Sequence, residues 1–238
     1  MRAEPNRIAG ACGVGAAALH VAGAMCLWNV QGAFRPDSLD RWFYAAQQHS
    51  VATAWSAWCF TLGAVLLVPW AMGLARALGP YAWPGAGLVT VAALVNATSS
   101  LLPFVVVTHL PHGEVVIGQT LLAVALTADA VFHLVWGVAL VLLSLAMARA
   151  LNFKMWLSGW GLLAGILAMG VVGQAWSPTG ADFGLLAGPV WVAWLVSASL
   201  ALHALPFVRP ASVEDAVDRP RRREQLPFVP RPTAMSAK

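Results

Sequence analysis

Six histidines and a thin set of carboxylates are the side chains of this 238-residue chain that could do chemistry. The segment Thr108-His109-Leu110-Pro111-His112-Gly113-Glu114 supplies two imidazoles and a carboxylate close together, donors that zinc and copper accept. His49 precedes an apolar stretch, and Asp129 and His133 lie four residues apart inside another. On a helix that spacing puts both on one face. The carboxylate can then orient the imidazole and raise its basicity, as a metal- or haem-ligating His requires, or pass protons with it. The candidate metal set is therefore His49, His109, His112, Glu114, Asp129 and His133. His20 and His133 are the histidines that could share a haem, whereas His203 lies at a different depth from His20. The cofactor classes open to the chain are a metal ion or a haem. None of these residues has the spacing of a recognised motif. A solvated turn at Pro111 and Gly113, and a plain hydrogen bond of Asp129 to His133 and Thr127, account for the same residues without a ligand.

The elements that position these groups follow from composition. Hydrophobic residues make up 59% and charged residues 10% of the chain, against about 45–50% and about 25% in a soluble domain. Runs without Lys or Arg cover 8–30, 50–75, 84–108, 118–148, 156–176 and 183–208, each near or above the roughly 20 residues a membrane-crossing helix needs. Backbone groups in lipid must be satisfied within the segment, and the alternation of a membrane barrel is absent. The expected fold is all-α, a polytopic bundle of six transmembrane helices.

All of the 14 Lys and Arg except Arg35 and Arg41 fall at the termini or in the second and fourth loops. That bias predicts an N-in/C-in protein with both termini cytoplasmic. Residues 1–208 are read as the transmembrane domain and 209–238, rich in Pro and Arg, as a disordered basic cytoplasmic tail. Arg2, Arg7 and Ala22-Gly23-Ala24 resemble a cleavable signal, but the apolar run continues through Cys26, Leu27 and Trp28, so the first helix is expected to be retained. The basic charge serves topology, and no nucleic-acid partner is expected. Cys12, Cys26 and Cys59 lie in apolar segments without metal or redox spacing.

Further expectations concern packing. The fourth run is too long for one upright span, so 111–125 is expected to form an outer connector or interfacial helix, with Asp129 and His133 one and two turns below the outer surface. Trp42, Trp55, Trp58, Trp70, Trp83, Trp156 and Trp160 are expected in headgroup belts. Gly161 with Gly165, and Gly184 with Gly188, suggest close approach of helices five and six. In the third span, Asn96, Thr98, Ser99 and Ser100 precede Pro103, where hydroxyls can recover a carbonyl that proline leaves free. There is no phosphate-binding or dinucleotide fingerprint and no internal repeat of the kind that marks many transporters.

Arg7-Ile8-Ala9-Gly10, Trp156-Leu157-Ser158-Gly159-Trp160-Gly161 and Pro189-Val190-Trp191-Val192-Ala193-Trp194 give a layout that resembles small bacterial six-helix integral membrane proteins of unknown function. The resemblance covers most of 7–205 and implies a fold and a bacterial inner membrane, without an activity or a site. Asp129 and His133 also resemble half of a copper motif in membrane-bound methane and ammonia monooxygenases. Its second half is missing, because position 146 is Ala, so no activity is carried over. Three functions stay open: a non-enzymatic accessory or scaffold component, a metal- or haem-binding redox or sensing protein with its site on the outer side, and a small-solute or ion carrier. The expected partners are the lipid bilayer and a membrane protein or a second copy of the chain.

Overall fold

The computed structural model describes residues 5–31, 39–110, 114–176 and 183–205. The proposed tail, 209–238, lies outside them. The described residues form α1 (Pro5–Gln31), α2 (Leu39–Gln48), α3 (Ser50–Leu78), α4 (Trp83–His109), α5 (Val115–Arg149), α6 (Met155–Trp176) and α7 (Phe183–Ala204). A 3-10 turn, Pro80–Ala82, joins α3 to α4. Six of the seven helices are long and apolar enough to cross a membrane, which makes this a multi-pass helical membrane protein. α1 runs unbroken through Ala22-Gly23-Ala24.

Local chemistry explains the boundaries. α3 stops at Gly79, whose φ of 87° is the left-handed conformation glycine adopts without penalty, and Pro80 follows to prevent continuation. Pro84 sits in the first turn of α4, where its missing N–H has no helical acceptor to lose.

Each spanning helix packs against the next in sequence, and α7 returns to α1, so the six spans form a closed up-and-down ring. The closure is fastened at one end. Asn6 Nδ2 donates to Leu205 O at 3.4 Å, and His203 Nδ1 donates to Arg7 O at 3.2 Å. The start of α1 and the end of α7 therefore share an end of the bundle with Arg76, Arg149 and Lys154. Asp40, His49, His109 and Glu114 occupy the opposite end.

Tryptophan fills the middle of the ring. Trp70, Trp136 and Trp194 are all 0% exposed. Their rings meet between helices that are not neighbours around the ring: Trp70 with Trp136 joins α3 to α5 at 6.5 Å, Trp70 with Trp194 joins α3 to α7 at 5.9 Å, and Trp136 with Trp191 joins α5 to α7 at 5.6 Å. Trp70 is thus not in a headgroup belt, because it lies on the inward face of α3. Trp42 also departs from the belt, buried beneath α2, whereas Trp55, Trp58, Trp83 and Trp156 are exposed as expected.

One packing expectation is corrected and another extended. Residues 115–125 do not form a separate connector. They are the first turns of α5, which runs 35 residues without a break because Val115 to Ala125 contains no proline to interrupt it. The short amphipathic element is instead α2, whose Trp42 and Phe43 cluster with Val106 of α4 and with Leu122 and Ala125 of α5. The expected close approach of the fifth and sixth spans holds at Gly161, where a Cβ would run into Trp194 Nε1 of α7, while Gly165 serves a second pair of helices. A Cβ on Gly165 would come within 2.7 Å of Gly137 O, and one on Gly137 equally close to Gly165 O, so this close approach joins α6 to α5. Nothing in the structure crowds Gly188.

Candidate functional site

The best-defined polar arrangement lies at mid-depth inside the ring. His20, on α1, is 4% exposed and Asn96, on α4, is also 4% exposed. His20 Nδ1 donates to Ala16 O at 2.8 Å, which leaves Nε2 as the acceptor for Asn96 Nδ2 at 3.1 Å. The ring of Trp191 meets the imidazole edge-on at 5.1 Å, and that of Phe60 lies at 5.6 Å. The backbone of α3 can approach because position 63 is glycine: a Cβ there would stand 2.6 Å from His20 Nδ1. Four helices thus meet at one imidazole whose ring nitrogens are both satisfied.

The neighbouring hydroxyls are absorbed by α4 itself. Ser99 and Ser100 both donate to Asn96 O, at 2.9 and 2.8 Å, and Thr98 donates to Leu94 O at 2.9 Å. The carbonyl that Pro103 leaves free is that of Ser99, four residues back, and these hydroxyls bond Asn96 O and Leu94 O instead, so the expected repair is not what they make. With the hydroxyls turned onto their own helix, the Asn96 side chain is the one that crosses to His20.

Asp129 and His133 do meet on α5. Asp129 Oδ2 lies 3.7 Å from His133 Nε2, too long for a hydrogen bond and within ion-pair range if the imidazole is protonated. The other nitrogen of that ring, Nδ1, is buried without a protein partner. Thr127 turns away and donates to Ala123 O at 2.9 Å. His133 packs on Phe132 at 5.0 Å, and Phe132 stacks on Trp136 at 6.1 Å, so rings connect it inward to Trp191 and His20.

The remaining candidates are dispersed. His49, His109 and Glu114 are exposed at one end of the bundle, and Thr108 Oγ1 pairs with His109 Nδ1 at 2.5 Å. His112 lies outside the described residues. Among the described residues no three His, Cys, Asp or Glu side chains come together as a metal-binding group. For the suggested haem pair, His20 would have to release Ala16 or Asn96 to offer a nitrogen. The two lone polar groups in different spans, His20 and Asn96, are the functional candidates that spacing along the chain does not reveal.

Comparison with known proteins adds no family to this description: the chain matches no family model, no curated protein and no solved structure.

Proposed function

We propose that this chain is a non-enzymatic accessory or scaffold component of a bacterial inner membrane, spanning it six times with both termini in the cytoplasm. The observation that carries the reading is the sealed interior. Trp70, Trp136 and Trp194 occupy the middle of the ring, and both nitrogens of His20 are engaged by the protein itself. A carrier needs polar groups that exchange partners with its cargo along a path, and an imidazole with both nitrogens already engaged in a packed core does not offer that. The orientation rests on the basic residues gathered at the end where α1 starts and α7 stops.

Three experiments test this reading. Reporter fusions at each terminus should both register as cytoplasmic, and an outward terminus would overturn the orientation. The full chain purified in mild detergent should carry a stoichiometric membrane-protein partner or a second copy of itself. A solitary monomer argues against a scaffold. In vesicles, a panel of ions and small solutes should leak no faster with the protein than without it, and a specific flux would favour the carrier.

The metal- or haem-binding alternative keeps one supporting observation, the Asp129–His133 pair with its unpartnered Nδ1. Metal analysis and a visible spectrum of the purified chain decide it. Stoichiometric metal or a Soret band would replace the accessory reading.

A further inference from the structure

The turn between α5 and α6 combines exposed apolar side chains with cations. Phe153 is 6% exposed and anchors the turn in the core, with its N–H on Ala150 O at 3.3 Å; the next carbonyl, Lys154 O, accepts Leu157 N–H at 3.0 Å. That anchoring leaves Leu151 fully exposed at the tip, with Met155 at 69% and Trp156 at 54% beside it. Arg149, the last residue of α5, holds its guanidinium 5.2 Å from the ring centroid of Tyr81, which is itself 67% exposed. Arg76 and Lys154 stand exposed at the same end.

Among the described residues these cations have no counter-charge close by. Among the described residues the carboxylates are Asp40, Glu114 and Asp129, the first two at the opposite end of the bundle and Asp129 in the outer half of α5. No ion pair to Arg76, Arg149 or Lys154 occurs among the described residues. In water, a fully outward Leu151 is unfavourable because its apolar area stays wetted, and the cations that flank it in sequence find no opposite charge among the described residues. One environment resolves both terms. At the boundary between headgroups and acyl chains, the apolar side chains enter lipid while the cations meet phosphate. With its Cζ over the Tyr81 ring, the guanidinium is held in place, and a guanidinium so placed can contact phosphate oxygens through two N–H groups at once.

We propose that Arg149, Lys154 and Tyr81 form a headgroup site for an anionic phospholipid, with Leu151 and Trp156 against its acyl chains. The inference requires only that the bundle lies in a bilayer, and it stands whether or not the protein is a scaffold.

The test uses the full chain in mild non-ionic detergent, supplied with phosphatidylglycerol or phosphatidylcholine and read by native mass spectrometry for retained lipid. Phosphatidylglycerol should be retained preferentially. The double variant Arg149→Gln/Lys154→Gln should reduce that preference by about thirtyfold, the factor expected for two cations near a charged surface. The charge-preserving pair Arg149→Lys/Lys154→Arg should retain most of it, and Arg41→Gln at the opposite end should leave it unchanged. Equal retention of the two lipids overturns the proposal, as does a double variant that behaves like the parent chain. Inorganic phosphate that displaces phosphatidylglycerol at millimolar concentration would show a soluble-anion site and overturn the lipid assignment.

Discussion

The mid-depth junction around His20 and the histidines at the far end of the bundle contain similar chemical groups and use them in opposite ways. At the junction, one imidazole and one carboxamide are buried, mutually satisfied and enclosed by Trp191 and Phe60. At the end, His49, His109 and Glu114 are more numerous yet exposed, and the described residues there form no three-member metal-binding group. The difference teaches that residue type and proximity in sequence are weak guides inside a membrane. A polar group in hydrocarbon must find a partner, so the buried pair is constrained in a way the exposed set is not.

That contrast can be broken by experiment, and the largest effect is expected at the junction's tryptophan floor. Trp136→Ala should cost about 3–5 kcal/mol of stability, since it removes a fully buried ring that touches three others. Unfolding titrated with SDS measures it, and a loss comparable to that of a lipid-facing substitution would mean the interior is not packed as described. Gly63→Ala should cost about 1–3 kcal/mol, because the added methyl meets the His20 ring and must displace it.

Asn96→Leu strands His20 Nε2 without a donor, so a loss of about 1–3 kcal/mol is expected. Combined with His20→Leu, the damage should be less than the sum of the two single changes, with a coupling of about 0.6–2 kcal/mol. Strict additivity would separate the two residues and undo the pair. At the other end, His49→Ala and His109→Ala should each change stability by less than about 0.5 kcal/mol, as exposed substitutions do. A large effect there would show that the dispersed histidines act together after all.

The six spans were readable because a membrane demands long apolar runs, and the runs beginning at 50, 84 and 156 fall within a residue of α3, α4 and α6. The unbroken α5 was not readable. Its excess length looked like a span plus a connector, and only α2, packed against Gly118, Leu122 and Ala125, shows how the first turns are covered. The His20–Asn96 pair was hidden because its members are 76 positions apart. Depth arithmetic held a clue: His20 lies about 22 Å along α1 and Asn96 about 20 Å along α4, both measured from the same end of the bundle at 1.5 Å per residue. Asp129 and His133 were legible from spacing alone, whereas the dispersal of His49, His109 and Glu114 depends on how the helix ends are arranged in space.

The fastening of α1 to α7 bears on the order of assembly. The start of α1 has its partners, Leu205 and His203, in α7 or just after it, about 200 residues later in synthesis. Trp191, which closes over His20, likewise belongs to the last span. α1 can pair with α3 and hand its imidazole to Asn96 once α4 is inserted. The seam of the ring stays open to lipid until synthesis has passed α7. Throughout that interval the face of His20 that Trp191 later covers lies open toward the acyl chains.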